Sequence, residues 1–321
     1  MNGHFIVGGA GFLGSHFVDR LIGDGAEKVT VFDNFSSGRE WHLEEHAGDE
    51  RLSVVRGDVK DLESLSEAMR GHDVVIHLAS NPDIARAATE PAIDFDEGTL
   101  LTHHVLEAMR IASTAQILYA SGSGVYGDIG ETEAGEDFGP LEPISTYGAS
   151  KLAGEALISS YCHMFDLRGC AFRFGNVVGS RQTHGVGFDF VRRLLDDPGQ
   201  LRILGDGSQS KSYIHQRDVI EAVLTAAEKT EQPYRAYNVA TGDYITVTEI
   251  ADLAAECVGL DPAAVEYQYS GGNRGWKGDV PVVRVDTGRI RALGWRNELG
   301  SREALRESML AMLLEARAGR L

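Results

Sequence analysis

Three glycines spaced three apart, Gly8, Gly11 and Gly14, constrain this chain more than any other stretch. The run His4-Phe-Ile-Val7 before them is short and apolar, as a buried strand would be. After them Phe12, Leu13, Phe17, Val18, Leu21 and Ile22 recur at helical spacing. Glycine permits a tight turn and close backbone approach, and the helix N-terminus then faces an anion. The spacing departs from the commoner G-x-G-x-x-G, so the motif counts only between a strand and a helix, where it stands. Lys28-Val-Thr-Val-Phe-Asp33 forms a second strand, ending in an acid 19 residues after Gly14. A carboxylate there accepts hydrogen bonds from a ribose and repels a 2′-phosphate, which favours NAD over NADP. Asp33 also fits a plain strand-end turn residue.

The alternation of strand and helix continues. Leu52–Asp58 and Asp73–Ala79 form the third and fourth strands, with a helix over Leu62–Met69 between them. Their continuous apolar runs suit a parallel sheet covered on both faces. A helix around Leu100–Met109 leads to a fifth strand, Gln116–Ala120, and Gly169–Phe174 is a sixth. His72 and His77 lie five apart about a strand, which suits core histidines and not a metal pair, so no metal is expected. Beyond the sixth strand the alternation loosens. Short helices and strands follow at Gly185–Leu195, Leu201–Leu204 and Ser212–His215. The Asp218–Glu228 helix and the Ala236–Val239 strand return to the first lobe. Thr246–Cys257 and Ser301–Ala316 are amphipathic helices, with Thr248 and Ser301 as their N-caps. Gly205 to Ser212 falls short of a phosphate-binding P-loop because position 210 is serine and a strand follows. The expected fold is α/β: a Rossmann-type doubly wound parallel sheet with a smaller C-terminal α/β substrate lobe. Residues 1–172, with return segments about 216–245, would bind NAD, and 173–321 would mainly form the substrate lobe.

Lysine and arginine number 30 against 48 aspartates and glutamates, a net charge of −18. That balance argues against nucleic acid and anionic membranes as partners, so an anionic ligand needs local cations. Cys162, Cys170 and Cys257 have no C-x-x-C spacing and an odd count, which fits a reducing cytoplasm. No basic leader or cleavage site precedes the first strand, and no apolar run reaches ~18 residues, so neither a signal peptide nor a membrane span is expected.

Tyr147-Gly-Ala-Ser-Lys151 puts a phenol and an ammonium on one helix face. A free phenol, with a pKa near ~10, is a poor base at neutral pH. A neighbouring ammonium favours the phenolate. Such a tyrosine can take a proton from a substrate hydroxyl and return it. Upstream, the fifth strand ends in Ser121-Gly-Ser-Gly, where hydroxyls would point into the ligand crevice at the carboxyl ends of the strands.

Taken in order, the motifs resemble an extended short-chain dehydrogenase/reductase of the sugar-nucleotide epimerase/dehydratase branch. The likeness spans nearly the whole chain: Gly8-x-x-Gly11-x-x-Gly14, Asp33-Asn34, Gly57-Asp58-Val59, His77-Leu-Ala79, Ser121 to Gly127, Tyr147-x-x-x-Lys151, Arg173-Phe-Gly-Asn176, Gly205-Asp-Gly207-x-Gln209, and Arg274 with Gly278-Asp279. The resemblance implies a homodimeric NAD enzyme acting on a nucleotide-diphosphate sugar. By the same likeness, Gly8, Gly11, Phe12 and Leu13 would meet the NAD pyrophosphate. Asp33 and Asn34 would hold the adenosine ribose, Asp58 and Val59 would flank the adenine, and Leu78 and Ala79 would line the cofactor. Lys151 would hold the nicotinamide ribose and tune Tyr147. Asn176, Arg274 and Lys211, the last in place of the family's usual arginine, would bind the substrate diphosphate. The family's catalytic Ser/Thr position holds Gly122, flanked by Ser121 and Ser123, either of which could supply the hydroxyl. The dehydratases of the branch carry an acid/base pair directly after that position, where this chain has Ser123 and Gly124. The implied reaction is therefore epimerisation at C4 through a transient 4-keto sugar. A decarboxylase or dehydratase of the same family, or a non-catalytic NAD-binding sensor, are the alternatives.

Overall fold

The structure, a computed structural model, describes residues 3–320. It has two compact units: one from the stretch up to Val125, Ser145–Arg173 and Ile220–Tyr237, the other from Tyr126–Ile144, Phe174–Val219 and the stretch from Asn238.

In the first unit the strands are β1 (Gly3–Val7), β2 (Lys28–Asp33), β3 (Leu52–Arg56), β4 (Val74–His77), β5 (Gln116–Gly122), β6 (Arg168–Phe174) and β7 (Tyr234–Val239). The helices are α1 (Phe12–Gly23), α2 (Leu62–Met69), α3 (Leu100–Ala112), α4 (Thr146–Met164) and α5 (Gln216–Lys229). Phe174 at the end of β6, the last two residues of β7 and the start of α5 belong to the second unit. One seven-stranded sheet runs β7-β6-β5-β4-β1-β2-β3. Parallel register sets Val7 between Phe32 on β2 and His77 on β4. The chain builds outward from β1 to β3, then crosses back to lay β4 on the other side of β1. That reversal opens a crevice at the carboxyl ends of β1 and β4.

Strands β1, β2 and β4 are almost wholly buried, as their apolar runs require. Phe5, Val7, Phe32, Val75, Ile117 and Tyr119 of the sheet pack with Leu65, Met69, Val105, Leu106, Met109 and Ile158 of the helices. The expectation for Leu52–Asp58 is corrected. That strand is the sheet edge, and its side chains are only partly covered, with Val54 47% exposed.

The second unit has its own core, drawn from the helices Val186–Asp196, Val247–Val258 and Ser301–Arg317. Phe190, Val191, Leu253, Ala254, Leu305 and Met309 meet there. Short strand pairs complete it. Asn176–Val178 runs parallel to Tyr213–His215, and Gln200–Ile203 parallel to Glu266–Tyr269. Glu133–Ala134, inside the acidic stretch that shows no strand signal, pairs with Arg284–Val285.

Both expected caps shift by one or two residues. Thr246, not Thr248, caps Val247–Val258: its Oγ1 accepts from Glu249 N at 3.2 Å, and Glu249 Oε2 accepts from Thr246 N at 2.8 Å. Gly300 occupies the N-cap of Ser301–Arg317, while Ser301 Oγ accepts from Tyr213 N and donates to Asp243 Oδ1, both at 2.9 Å. Replacing Thr246 with alanine removes one half of a reciprocal pair. Thr246→Ala should cost about 1 kcal/mol in denaturant unfolding. A loss of only a few tenths would show the cap to be idle.

Candidate active site

The glycine turn is shaped by close approaches. Gly8 has φ +82°, and a Cβ there would lie 2.9 Å from Ala79 N across the crevice. A Cβ on Gly14 would stand 2.4 Å from Gly8 O. Leu78 N and Ala79 N both donate to Val7 O, at 2.9 and 3.1 Å. Gly8, Gly11, Leu78 and Ala79 therefore meet where β1 and β4 end. Gly11 N donates within the turn to Gly8 O at 3.2 Å, and Ser15 N is the first helical donor, to Gly11 O at 3.1 Å. The amides of Phe12, Leu13 and Gly14 precede it at the positive end of α1, the arrangement that receives a phosphate.

Asp33 closes one side of this cradle. Its Oδ2 accepts from Ala10 N at 2.9 Å and its Oδ1 from Phe35 N at 2.8 Å. Burial raises its carboxyl above the ordinary aspartate value, and the two amides pull it back. Asn34 and Asp58 are exposed, while Val59 is buried and its carbonyl accepts from His104 Nδ1 at 3.1 Å. A ring of small residues, outward amides and a carboxylate at a strand end fits a dinucleotide.

Helix α4 places Tyr147 and Lys151. Ser145 Oγ caps it by accepting from Gly148 N at 3.0 Å, and Tyr147 lies in the first turn. One turn on, Lys151 is buried, and its Nζ donates to Ala120 O of β5 at 2.8 Å. The same Nζ lies 5.3 Å from the Tyr147 ring and 5.2 Å from the Tyr119 ring. Burial pushes Lys151 down to about 8, and the Asp94 carboxylate opposes that fall. Tyr147 departs from expectation. Burial raises its phenol, the neighbouring Ser80 hydroxyl works the other way, and Asp94 adds to the rise. The expectation of a phenol pulled below its ordinary value by Lys151 is corrected: in the structure burial sets the direction and holds it above.

The two candidate serines part company. Ser121 is buried and donates to Glu155 Oε1 at 2.6 Å. Glu155 is paired in turn with Arg173, whose Nη2 meets Oε2 at 2.7 Å. Ser121 is thus committed to a buried ion pair. Ser123 is partly buried and begins the turn after β5, where Gly124 comes close to Gly148 of α4. A Cβ on Gly122 would meet nothing within 4 Å.

Sequence reasoning passed over Ser80 and Asp94. Ser80 stands at the carboxyl end of β4, and the rule that singled out the end of β5 could have found it. Asp94 carried no signal. It is buried, accepting from Asn81 Nδ2 at 2.8 Å and from Thr146 Oγ1 at 2.6 Å.

In the second unit, Lys211 Nζ donates to Asp279 Oδ1 at 2.6 Å. Arg274 donates to the Asp279 carbonyl and to Asp128. Asn176 is exposed, with Nδ2 3.3 Å from Ser212 O, one residue from Lys211. The three residues named for diphosphate binding thus gather about Lys211–Ser212 and Asp279.

A buried lysine lowered to about 8 leaves a pH signature. At neutral pH both folded and unfolded chains carry this ammonium, and the fold bears the cost of burying it. As pH rises through 8 toward the ordinary lysine value of 10.5, the folded chain sheds its proton first and gains stability. Lys151→Met removes this gain. In melting curves of the apoprotein, wild type should gain on the variant between pH 8 and 10.5. A constant difference across that window would refute the buried, lowered ammonium.

Residues 4–240 match the family model described as the NAD dependent epimerase/dehydratase family. The UDP-glucose 4-epimerase of Mycolicibacterium smegmatis is 31% identical, over 95% of this chain and 96% of its own. A dTDP-glucose 4,6-dehydratase of Streptomyces griseus is 30% identical, over 92% and 89%. The solved Thermus thermophilus UDP-glucose 4-epimerase, in complex with NAD, superposes with a TM-score of 0.85 at 31% identity, covering 97% of this chain and 99% of that one. Among the described residues no helix is long and apolar enough to cross a membrane.

Proposed function

The chain belongs to the NAD-dependent epimerase/dehydratase family, and we propose that it inverts C4 of a nucleotide-diphosphate sugar through a transient 4-keto sugar. The pairing of Tyr147 with a buried Lys151 on one face of α4, at the end of β5, carries the proposal. NAD is the cofactor, and when bound it supplies reversible redox chemistry at a carbinol carbon with no net change over the cycle.

The amides of Phe12 and Leu13 would receive its pyrophosphate, which the missing Cβ atoms of Gly8, Gly11 and Gly14 let approach. Asp33 and Asn34 would hold the adenosine ribose. Asp58 and Val59 would flank the adenine, with Leu78 and Ala79 lining the crevice. Lys151 would hold the nicotinamide ribose. Tyr147 takes the proton of the sugar C4 hydroxyl as that carbon is oxidised, and returns a proton when it is reduced from the other face. Its raised phenol is protonated at rest, and the Lys151 ammonium favours the phenolate when it forms.

Epimerisation is favoured over dehydration because Ser123 and Gly124 follow Gly122, leaving no carboxyl there to expel water. Asn176, Lys211 and Arg274 would take the diphosphate, supplying cations that a chain of charge −18 needs locally. A homodimer belongs to the same proposal, and exposed Ile111 and Met164 on α3 and α4 offer apolar surface to it. The named relative makes UDP-glucose and UDP-galactose the first pair to test.

Purified protein incubated with either sugar nucleotide should yield the other by NMR, and should bind NAD more tightly than NADP. Tyr147→Phe should lose about 10²-fold or more in turnover while keeping its bound NAD. Undiminished turnover in that variant, or tighter NADP binding, would overturn the proposal.

A further inference from the structure

We infer that the Asp128 carboxylate occupies the edge of Arg274 that the substrate diphosphate takes, so that binding has to displace it. The inference rests on the reading of Arg274 as a diphosphate ligand, and it adds a residue that sets how tightly the site binds. All the groups it involves belong to the second unit. Arg274 is held on two sides. Its Nη1 donates to the backbone carbonyl of Asp279, and its Nη2 donates to Asp128 Oδ2. The carbonyl is a fixed backbone partner. The carboxylate is an anion, as a phosphate is, and it is the partner that a ligand replaces.

The two cations of the site are compensated differently. Lys211 Nζ donates to Asp279 Oδ1 at 2.6 Å, and Asp279 Oδ2 accepts from Gly275 N at 3.0 Å. Asp279 is buried, so parting it from Lys211 would strand a charge away from water. Asp128 is 29% exposed and Arg274 37%, so water takes over the hydrogen bonds of either when they part. The backbone beneath Asp128 is fixed by other contacts. Gly127 has φ +75°, and a Cβ on it would lie 2.0 Å from Glu142 O. After the turn, Glu133–Ala134 pairs with Arg284–Val285. Releasing Arg274 therefore takes a rotation of the Asp128 side chain and no rearrangement of the chain.

The consequence is a threshold for anions. A guanidinium offers a planar fork that suits phosphate oxygens. With Asp128 on Nη2 and Asp279 O on Nη1, both arms of that fork are already in use. A small carboxylate ligand would exchange one carboxylate for another and gain nothing. A diphosphate brings more charge and reaches Lys211 as well as Arg274, so it can win the edge back. Asp128 thus lowers affinity for every ligand that uses Arg274, and the weakest of them are shut out. Glu131, in the same turn, supplies the comparison. It carries the same charge but pairs with Arg284, its Oε2 lying 3.5 Å from Nε.

The test is calorimetric titration of the NAD-loaded protein with UDP, comparing wild type, Asp128→Asn, Glu131→Gln, Arg274→Gln and Asp128→Asn/Arg274→Gln. Asp128→Asn keeps the shape of the side chain and removes its charge. It should tighten UDP binding by about 5-fold at low salt, the worth of an exposed ion pair. Added salt should shrink that gain. Uridine, which carries no phosphate, should bind wild type and Asp128→Asn alike. Glu131→Gln should leave the UDP affinity within about 2-fold of wild type. Arg274→Gln should weaken UDP binding by about 10-fold or more. In that background Asp128→Asn should add nothing, because no guanidinium is left to release. Unchanged or weaker UDP binding in Asp128→Asn overturns the inference, and so does a total lack of UDP binding in both it and wild type. A gain that persists without Arg274, or that Glu131→Gln reproduces, also overturns it, since either would be general repulsion of the ligand. Undiminished UDP binding in Arg274→Gln instead defeats the reading of Arg274 as a diphosphate ligand, so the two failures are distinguishable.

Discussion

The crevice of this protein depends on backbone passing backbone where side chains would forbid it. Gly14 sits so close to Gly8 O that a Cβ would intrude to 2.4 Å, and a Cβ on Gly9 would stand 2.7 Å from the Val31 side chain. These contacts seat α1 against β1 and β2, and they leave the helix amides facing the crevice. Val7 O, which takes both Leu78 and Ala79 amides, then ties β4 to the same point. The position of Ser80 follows from that tie, and through Asn81 and Asp94 so does the start of α4. Cofactor cradle and candidate catalytic helix are thus parts of one set of backbone constraints.

A second constraint is electrostatic. Glu155 and Arg173 are buried together, and burying two charges is favourable only when their hydrogen-bonding groups are met. Ser121 meets one of them, which commits its hydroxyl to Glu155. Had the ion pair been absent, Ser121 would have been as good a candidate as Ser123. The same reasoning explains the isolation of His77, whose ring bonds to Thr102 at 3.2 Å and is driven down to about 3 by burial. It is a core histidine despite its place beside Lys151.

Much of the fold was legible because its determinants are local or periodic. The span of β2 and that of α2 follow from apolar pattern and end signals alone, and Tyr147 and Lys151 share a face by spacing. The failures have distinct causes. Edge position is a property of strand order, so Leu52–Arg56 looked like an interior strand. Thr246 and Thr248 are equally good caps by composition, and only the reciprocal bond with Glu249 separates them. The behaviour of the Tyr147 phenol was misjudged because spacing reports which charges are near and says nothing of desolvation. Asp94 was invisible because its partners, Asn81 and Thr146, come from far along the chain.

The exposed edge also bears on how this molecule keeps to itself. A free strand flank presents unpaired amides and carbonyls that another chain can extend. β3 has only five residues, and a guanidinium stands at each end of it. Arg51 is bound to Asp49 at 2.6 Å, and Arg56 reaches Glu40 at 2.9 Å while lying 4.2 Å from the Phe35 ring. An incoming strand would have to displace these arginines and desolvate their charge to reach Val54. The sheet ends on this side in a strand flanked by two cations, so what discourages strand addition at that border is arginine.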